Sequence, residues 1–190
     1  ACWGNNSSGE LGFTVDGAMH LYPITIAGLT ATFLTAGNQT TCAASTTGSA
    51  LCWGANGSGQ VGAGSSTDPI STPSAVCTKQ DCSTKLSGVT SVATYDNSAC
   101  AVAGGAVQCW GDNTQGQLGD GNATSTQNFA ASTAIASGAV YVRSGGETNY
   151  AIVKNGAEQN VKCWGPDQSY NCGDGLDGGG IQRTPVSPKW

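Results

Sequence analysis

Short alternating apolar runs, not long amphipathic stretches, organise this chain. Thr32-Phe33-Leu34-Thr35-Ala36-Gly37 precedes Thr41-Cys42-Ala43, and Gly48 then marks a turn before Ala50-Leu51-Cys52. The same order recurs twice. Ser91 to Thr94 precedes Ala99 to Val102, with Gly104-Gly105 before Ala106 to Cys109; Val140 to Val142 precedes Asn149 to Val153, with Asn155-Gly156 before Val161 to Cys163. Period-two runs closed by Gly-Gly or Asn-Gly predict β-hairpins. Each unit therefore reads as about four short antiparallel strands, the size of one propeller blade.

The runs lead into a second repeated element. Cys2 to Gly12 reads CWGNNSSGELG, and it returns as CWGANGSGQVG from Cys52, CWGDNTQGQLG from Cys109 and a degenerate CWGPDQSYNCG from Cys163. The offsets are 50, 57 and 54 residues. The units run approximately 1–28 (partial), 29–86, 87–137 and 138–190, within one repeat domain. Four CWG halves meet only three upstream halves, so the chain opens midway through a unit.

Composition sharpens this picture. Charged residues make up 10% of the chain, against roughly 25% in an average soluble domain. A net charge of −5 argues against nucleic-acid binding through a basic face. No run of 18 apolar residues is present, so no membrane span is expected. The 29 glycines fall largely at repeated turn positions.

The alternation and the CWGxNxxGQLG element together resemble the regulator of chromosome condensation repeat, in its cysteine-containing bacterial extracellular form. The resemblance covers essentially the whole chain and implies an all-β propeller, commonly of seven blades. Roughly three and a half repeats make this a partial propeller: a piece of a longer one, an arc whose edge a partner completes, or a four-bladed ring, in that order. Departures are local. Thr40, Ser98 and Thr148 stand where the family usually has His; Tyr150 replaces a Cys, Tyr170 a Gly and Cys172 a Leu.

Nine cysteines are present. Cys42 and Cys52 lie on adjacent strands across a turn, as do Cys100 and Cys109. Directly opposed β-carbons are roughly 4.5–5.5 Å apart, near enough for bridging. Cys77–Cys82 would staple an inserted loop, and Cys163–Cys172 is the economical remaining pair. This leaves Cys2 unpaired or intermolecular, its expected partner lying about ten residues upstream on a strand the chain does not contain. Staples at this density place the chain in an oxidising compartment, extracellular or at the cell surface.

Other motifs read as architecture. Gly57 to Gly62 fits G-x-G-x-x-G, but no helix start follows and the sister copies lack the first Gly, so nucleotide binding is not expected. Trp3, Trp53, Trp110 and Trp164 recur beside a cysteine and are expected in the repeat core. Asp174 and Asp177 form a weak Ca²⁺ candidate in a Gly-rich loop, with few ligands for an ion that takes six to eight oxygens. The lone His20 has no repeat counterpart and no evident triad, so no catalytic residue and no cofactor are expected. Asn5, Asn6, Asn38, Asn56 and Asn122 begin N-x-S/T triplets.

These readings favour a secreted or cell-surface binding module that recognises another protein and is not an enzyme. The alternative is a structural subunit of an extracellular assembly, joined edge to edge to neighbouring copies or another chain. Recognition would rest with the variable segments Phe13–Ile24, Ser65–Leu86, Asn122–Ala136 and Asp174–Pro185.

Overall fold

The computed structural model describes residues 1–122, 126–175 and 180–189, and no helix occurs among them. The strands β1 (Cys2–Asn5) and β2 (Met19–Ile24) form a two-stranded sheet. Three four-stranded meanders follow. The first contains β3 (Ala31–Ala36), β4 (Thr40–Ser45), β5 (Ala50–Gly54) and β6 (Ile70–Ala75). The second contains β7 (Val89–Tyr95), β8 (Ser98–Ala103), β9 (Ala106–Gly111) and β10 (Gln127–Ile135). The third contains β11 (Ala139–Gly145), β12 (Thr148–Asn155), β13 (Glu158–Pro166) and β14 (Ile181–Val186). All pairings are antiparallel. The molecule is an all-β arc of propeller blades: one half-blade and three complete ones.

The fourth strand of every unit falls in a segment that reads as variable in sequence. Strands β2, β6, β10 and β14 carry mixed, mostly half-buried or exposed patterns. An outermost strand buries little, so its residues are free to differ between units.

First strands line the inner side of the arc, where β7 packs beside both β3 and β11. Ser91 and Ala93 on β7 are small and buried. Across them Phe33 on β3 meets Tyr141 on β11 edge-on at 5.6 Å. Arg143 stacks over both rings, 4.6 Å and 4.9 Å from their centres, in a double cation–π contact.

Blades are joined by a repeated lock. The indole of Trp53 donates to the carbonyl of Glu10 at 2.9 Å, Trp110 to Gln60 at 2.8 Å, and Trp164 to Gln117 at 2.9 Å. Each Trp thus reaches back to the loop of the preceding unit and is fully buried there. The loop is built to receive it. The side-chain oxygens of Asn6, Asn56 and Asn113 accept from the amides of Leu11, Val61 and Leu118, and the next residue is a positive-φ glycine. At Gly62 a Cβ would stand 2.8 Å from the indole nitrogen of Trp110, so only glycine lets the ring in.

The same lock corrects one expectation. Trp3, expected in the repeat core, is 64% exposed. A Trp at this position is buried by the preceding unit's loop, and Trp3 has none in this structure.

Candidate functional site

The half-blade concentrates the molecule's solvent-facing apolar side chains. In sequence Phe13–Ile24 read as a variable stretch; Met19, Leu21 and Tyr22 emerge from it on β2, with Leu21 77% and Tyr22 80% exposed. The β1–β2 pairing sets Gly4 opposite His20 and Cys2 opposite Ile24. Trp3, between Cys2 and Gly4, stands across the ladder from the Leu21–Pro23 stretch, where the register shifts. Exposed apolar side chains gathered on one small sheet mark interaction surfaces.

The polar residues nearby organise the loop. Asp16 accepts from the Ala18 amide and from Asn6, and its second oxygen meets His20 Nε2 at 2.9 Å. The Ala18 hydrogen bond, with smaller help from Asn6 and His20, holds the Asp16 carboxyl below the usual carboxylate range. His20 also stands edge-on to Phe13 at 5.2 Å. These two contacts hold the loop in shape.

A cavity of about 310 Å³ lies beside β1, lined by Cys2, Trp3, Leu11, Leu34 and Thr41 among others. Cys2 carries a free thiol there, which burial pushes up in pKa against a smaller opposing pull from the α-ammonium.

Four cysteine pairs lie at bonding distance: Cys42–Cys52, Cys77–Cys82, Cys100–Cys109 and Cys163–Cys172, with Cα separations of 4.1, 5.0, 4.0 and 5.3 Å. Cys42 faces Cys52 in register, as Cys100 faces Cys109. In the last blade Tyr150 faces Cys163 instead. The Tyr150 hydroxyl donates to the carbonyl of Asn171 at 3.3 Å. That carbonyl corresponds to those of Gln60 and Gln117, which accept a Trp from the next blade. The last blade therefore engages its own acceptor, a role for Tyr150 that its replacement of a cysteine hints at only in retrospect.

Asp174 is buried, and its carboxylate accepts from Gln182 at 2.6 Å. Asp177 lies outside the described residues, as does Trp190. Among the described residues no group of three His, Cys, Asp or Glu side chains is placed to hold a metal ion. Gly57 to Gly62 forms the loop between β5 and β6, followed by a strand.

Residues 32–60 match the model of the regulator of chromosome condensation (RCC1) repeat. No curated protein sequence matches the chain. Among solved structures, human WBSCR16 superposes with a TM-score of 0.75 at 20% identity, covering 98% of this chain and 48% of its own. Prp20p of Saccharomyces cerevisiae gives 0.77 at 16% identity, covering 99% of this chain and 45% of its own. Yeast RCC1 (Prp20) crystallised with Kap60 gives 0.78 at 16% identity, with 99% and 44% covered. The chain spans less than half the length of these structures. It carries an RCC1 repeat and takes the RCC1-type β-propeller fold.

Proposed function

We propose that this chain is a protein-binding propeller module of the cell exterior or cell surface, with no catalytic role. The observation that carries the reading is the set of exposed apolar side chains Trp3, Met19, Leu21 and Tyr22 on one half-blade. Aromatic side chains of this kind anchor protein interfaces, because they bury much area at small entropic cost. The solved relatives lend support by analogy: Prp20p is described with its binding to Gsp1p and histones, and with Kap60 bound. The four cysteine pairs support an oxidising compartment.

The test uses the protein biotinylated at its exposed lysines and incubated with surface and secreted fractions of its source cells. A partner retained by the wild type and lost with Leu21→Asp/Tyr22→Asp supports the reading. Equal retention by both proteins, or no retained partner, overturns it. Alkylation of free thiols before lysis checks the compartment: modification of Cys42 and Cys52 in intact cells would place the chain in a reducing environment.

A further inference from the structure

We infer that Cys77–Cys82 is a site of reversible thiol exchange, which takes a low-molecular-weight thiol onto Cys82 and unclasps the 78–84 loop from the junction between two blades. Residues 76–88 join β6 to β7, whereas 136–138 suffice between β10 and β11. Main-chain bonds fix the base of this insertion. The Cys77 amide donates to the Gly62 carbonyl, and the Cys77 carbonyl accepts from the Ala130 amide on β10, both at 2.8 Å. Gly62 belongs to the loop that receives Trp110, so the base sits where the first complete blade meets the second. Cys77 also bridges to Lys85, and the Leu86 amide donates to the Val76 carbonyl. The tip is held by fewer ties. Gln80 Nε2 donates to the Gly64 carbonyl at 2.7 Å, the Thr78 amide donates to the Thr84 carbonyl at 2.9 Å, and the Cys77–Cys82 pair closes the loop. The Gly64 amide in turn donates to the Asn128 carbonyl on β10, so the tip leans on a turn that ties the two blades together.

The two sulfurs differ in the way that exchange requires. Cys77 is fully buried and Cys82 half-buried, so an incoming thiolate reaches the Cys82 sulfur. The Lys85 ammonium stands 3.3 Å from the Cys77 sulfur, where it stabilises that sulfur as the departing thiolate. Attack forms a new S–S bond between the thiol and Cys82. The Cys77–Cys82 bond breaks, its electron pair leaves on Cys77, and the proton of the incoming thiol goes to solvent. No oxidant is consumed. The Cys77 thiolate stays at the base of the loop, where attack on Cys82 expels the thiol and restores the original bond. Cys42–Cys52 and Cys100–Cys109 are fully buried on middle strands, out of reach of such a nucleophile. The ties at the base are main-chain hydrogen bonds, which exchange does not touch, so it opens the tip and leaves both blades folded.

The test uses the intact, air-oxidised protein and glutathione. Non-reducing peptide mapping comes first, and separate Cys77 and Cys82 thiols at that stage would overturn the inference. Brief exposure to glutathione, quenched with acid, is expected to give a single adduct with glutathione on Cys82 and a free thiol at Cys77. Hydrogen exchange under excess glutathione should show lost protection within residues 78–84, while peptides containing Leu86 and Ala130 keep theirs. Lys85→Gln should slow adduct formation roughly three- to tenfold, and Lys85→Arg, which keeps the cation, should retain the wild-type rate. Added salt should slow the wild type more than Lys85→Gln, because it screens the ammonium. Three further results would each overturn the inference: glutathione first on Cys77 or on another pair, equal rates in wild type and Lys85→Gln, or protection lost across both blades. The Leu21 and Tyr22 variants leave this loop intact, so failure here and failure of the partner-binding reading are separable.

Discussion

The indole nitrogen of Trp110 sits 2.8 Å from the carbonyl oxygen of Gln60, fifty positions earlier and in the preceding blade. A buried carbonyl left without its donor costs about 1–3 kcal/mol. Trp110→Phe removes the donor and also leaves a cavity where part of the buried indole was, so it should lower unfolding stability by at least that amount. Trp3→Phe, with no such acceptor in this structure, should change stability by less than about 0.5 kcal/mol. Urea unfolding of the two variants checks the contrast, and equal losses would contradict a lock that runs between blades.

That contrast also shows where sequence reading succeeds and where it stops. The strands leading into each CWG are legible because short apolar runs end at turn glycines and set cysteines opposite each other across a hairpin. The recurrence of Trp at four positions marks one shared place in the repeat, and three of the four rings are fully buried. It does not reveal that each ring is buried by a neighbouring unit, and so the exposure of Trp3 was hidden. The apolar group on β2 was equally obscure. Met19, Leu21 and Tyr22 break the polar-out pattern of an outer strand, and Tyr22-Pro23 reads locally as irregular.

Gly62 and Gly104 both have positive φ, at 73° and 58°, but they meet different surroundings. A Cβ on Gly104 finds nothing within 4 Å, whereas one on Gly62 presses on the Trp110 indole and on Val76. Gly104→Ala should therefore cost only the left-handed backbone penalty, about 1–2 kcal/mol. Gly62→Ala adds overpacking, about another 1–3 kcal/mol. Thermal unfolding should place the Gly62 variant clearly below the Gly104 variant; the reverse order would mean that the loop moves away from the ring at little cost.

The cysteine pairs should differ in their resistance to reduction. Cys42, Cys52, Cys100 and Cys109 are fully buried. Cys82 is half-buried, and the ammonium of Lys85 lies 2.8 Å from its sulfur and 3.3 Å from that of Cys77. Access governs attack by an external thiol, and a neighbouring cation stabilises the departing thiolate. Under limiting dithiothreitol, differential alkylation should find Cys77 and Cys82 modified first, and Lys85→Gln should slow that step. First reduction of Cys100–Cys109 would contradict this order.

Asp120 gives the fold a pH dependence whose direction follows from its contacts. Burial pulls its pKa upward, but hydrogen bonds from Ser132, Asn122 and Asn113 outweigh that pull and leave the carboxyl below its ordinary value. A carboxylate with a lowered folded-state pKa stabilises the fold fully above its unfolded value, near 3.9, and loses that contribution as pH falls through the folded value. Asp120→Asn removes the charge while keeping an acceptor for Ser132. The gap in melting temperature between wild type and variant should hold steady from pH 7 to about 5 and close as the pH drops below about 4. Ser132→Ala removes the 2.7 Å bond to the carboxylate, so it should raise the Asp120 pKa and start the acid loss at higher pH. A gap that widens on acidification would mean that burial, not hydrogen bonding, dominates at this turn.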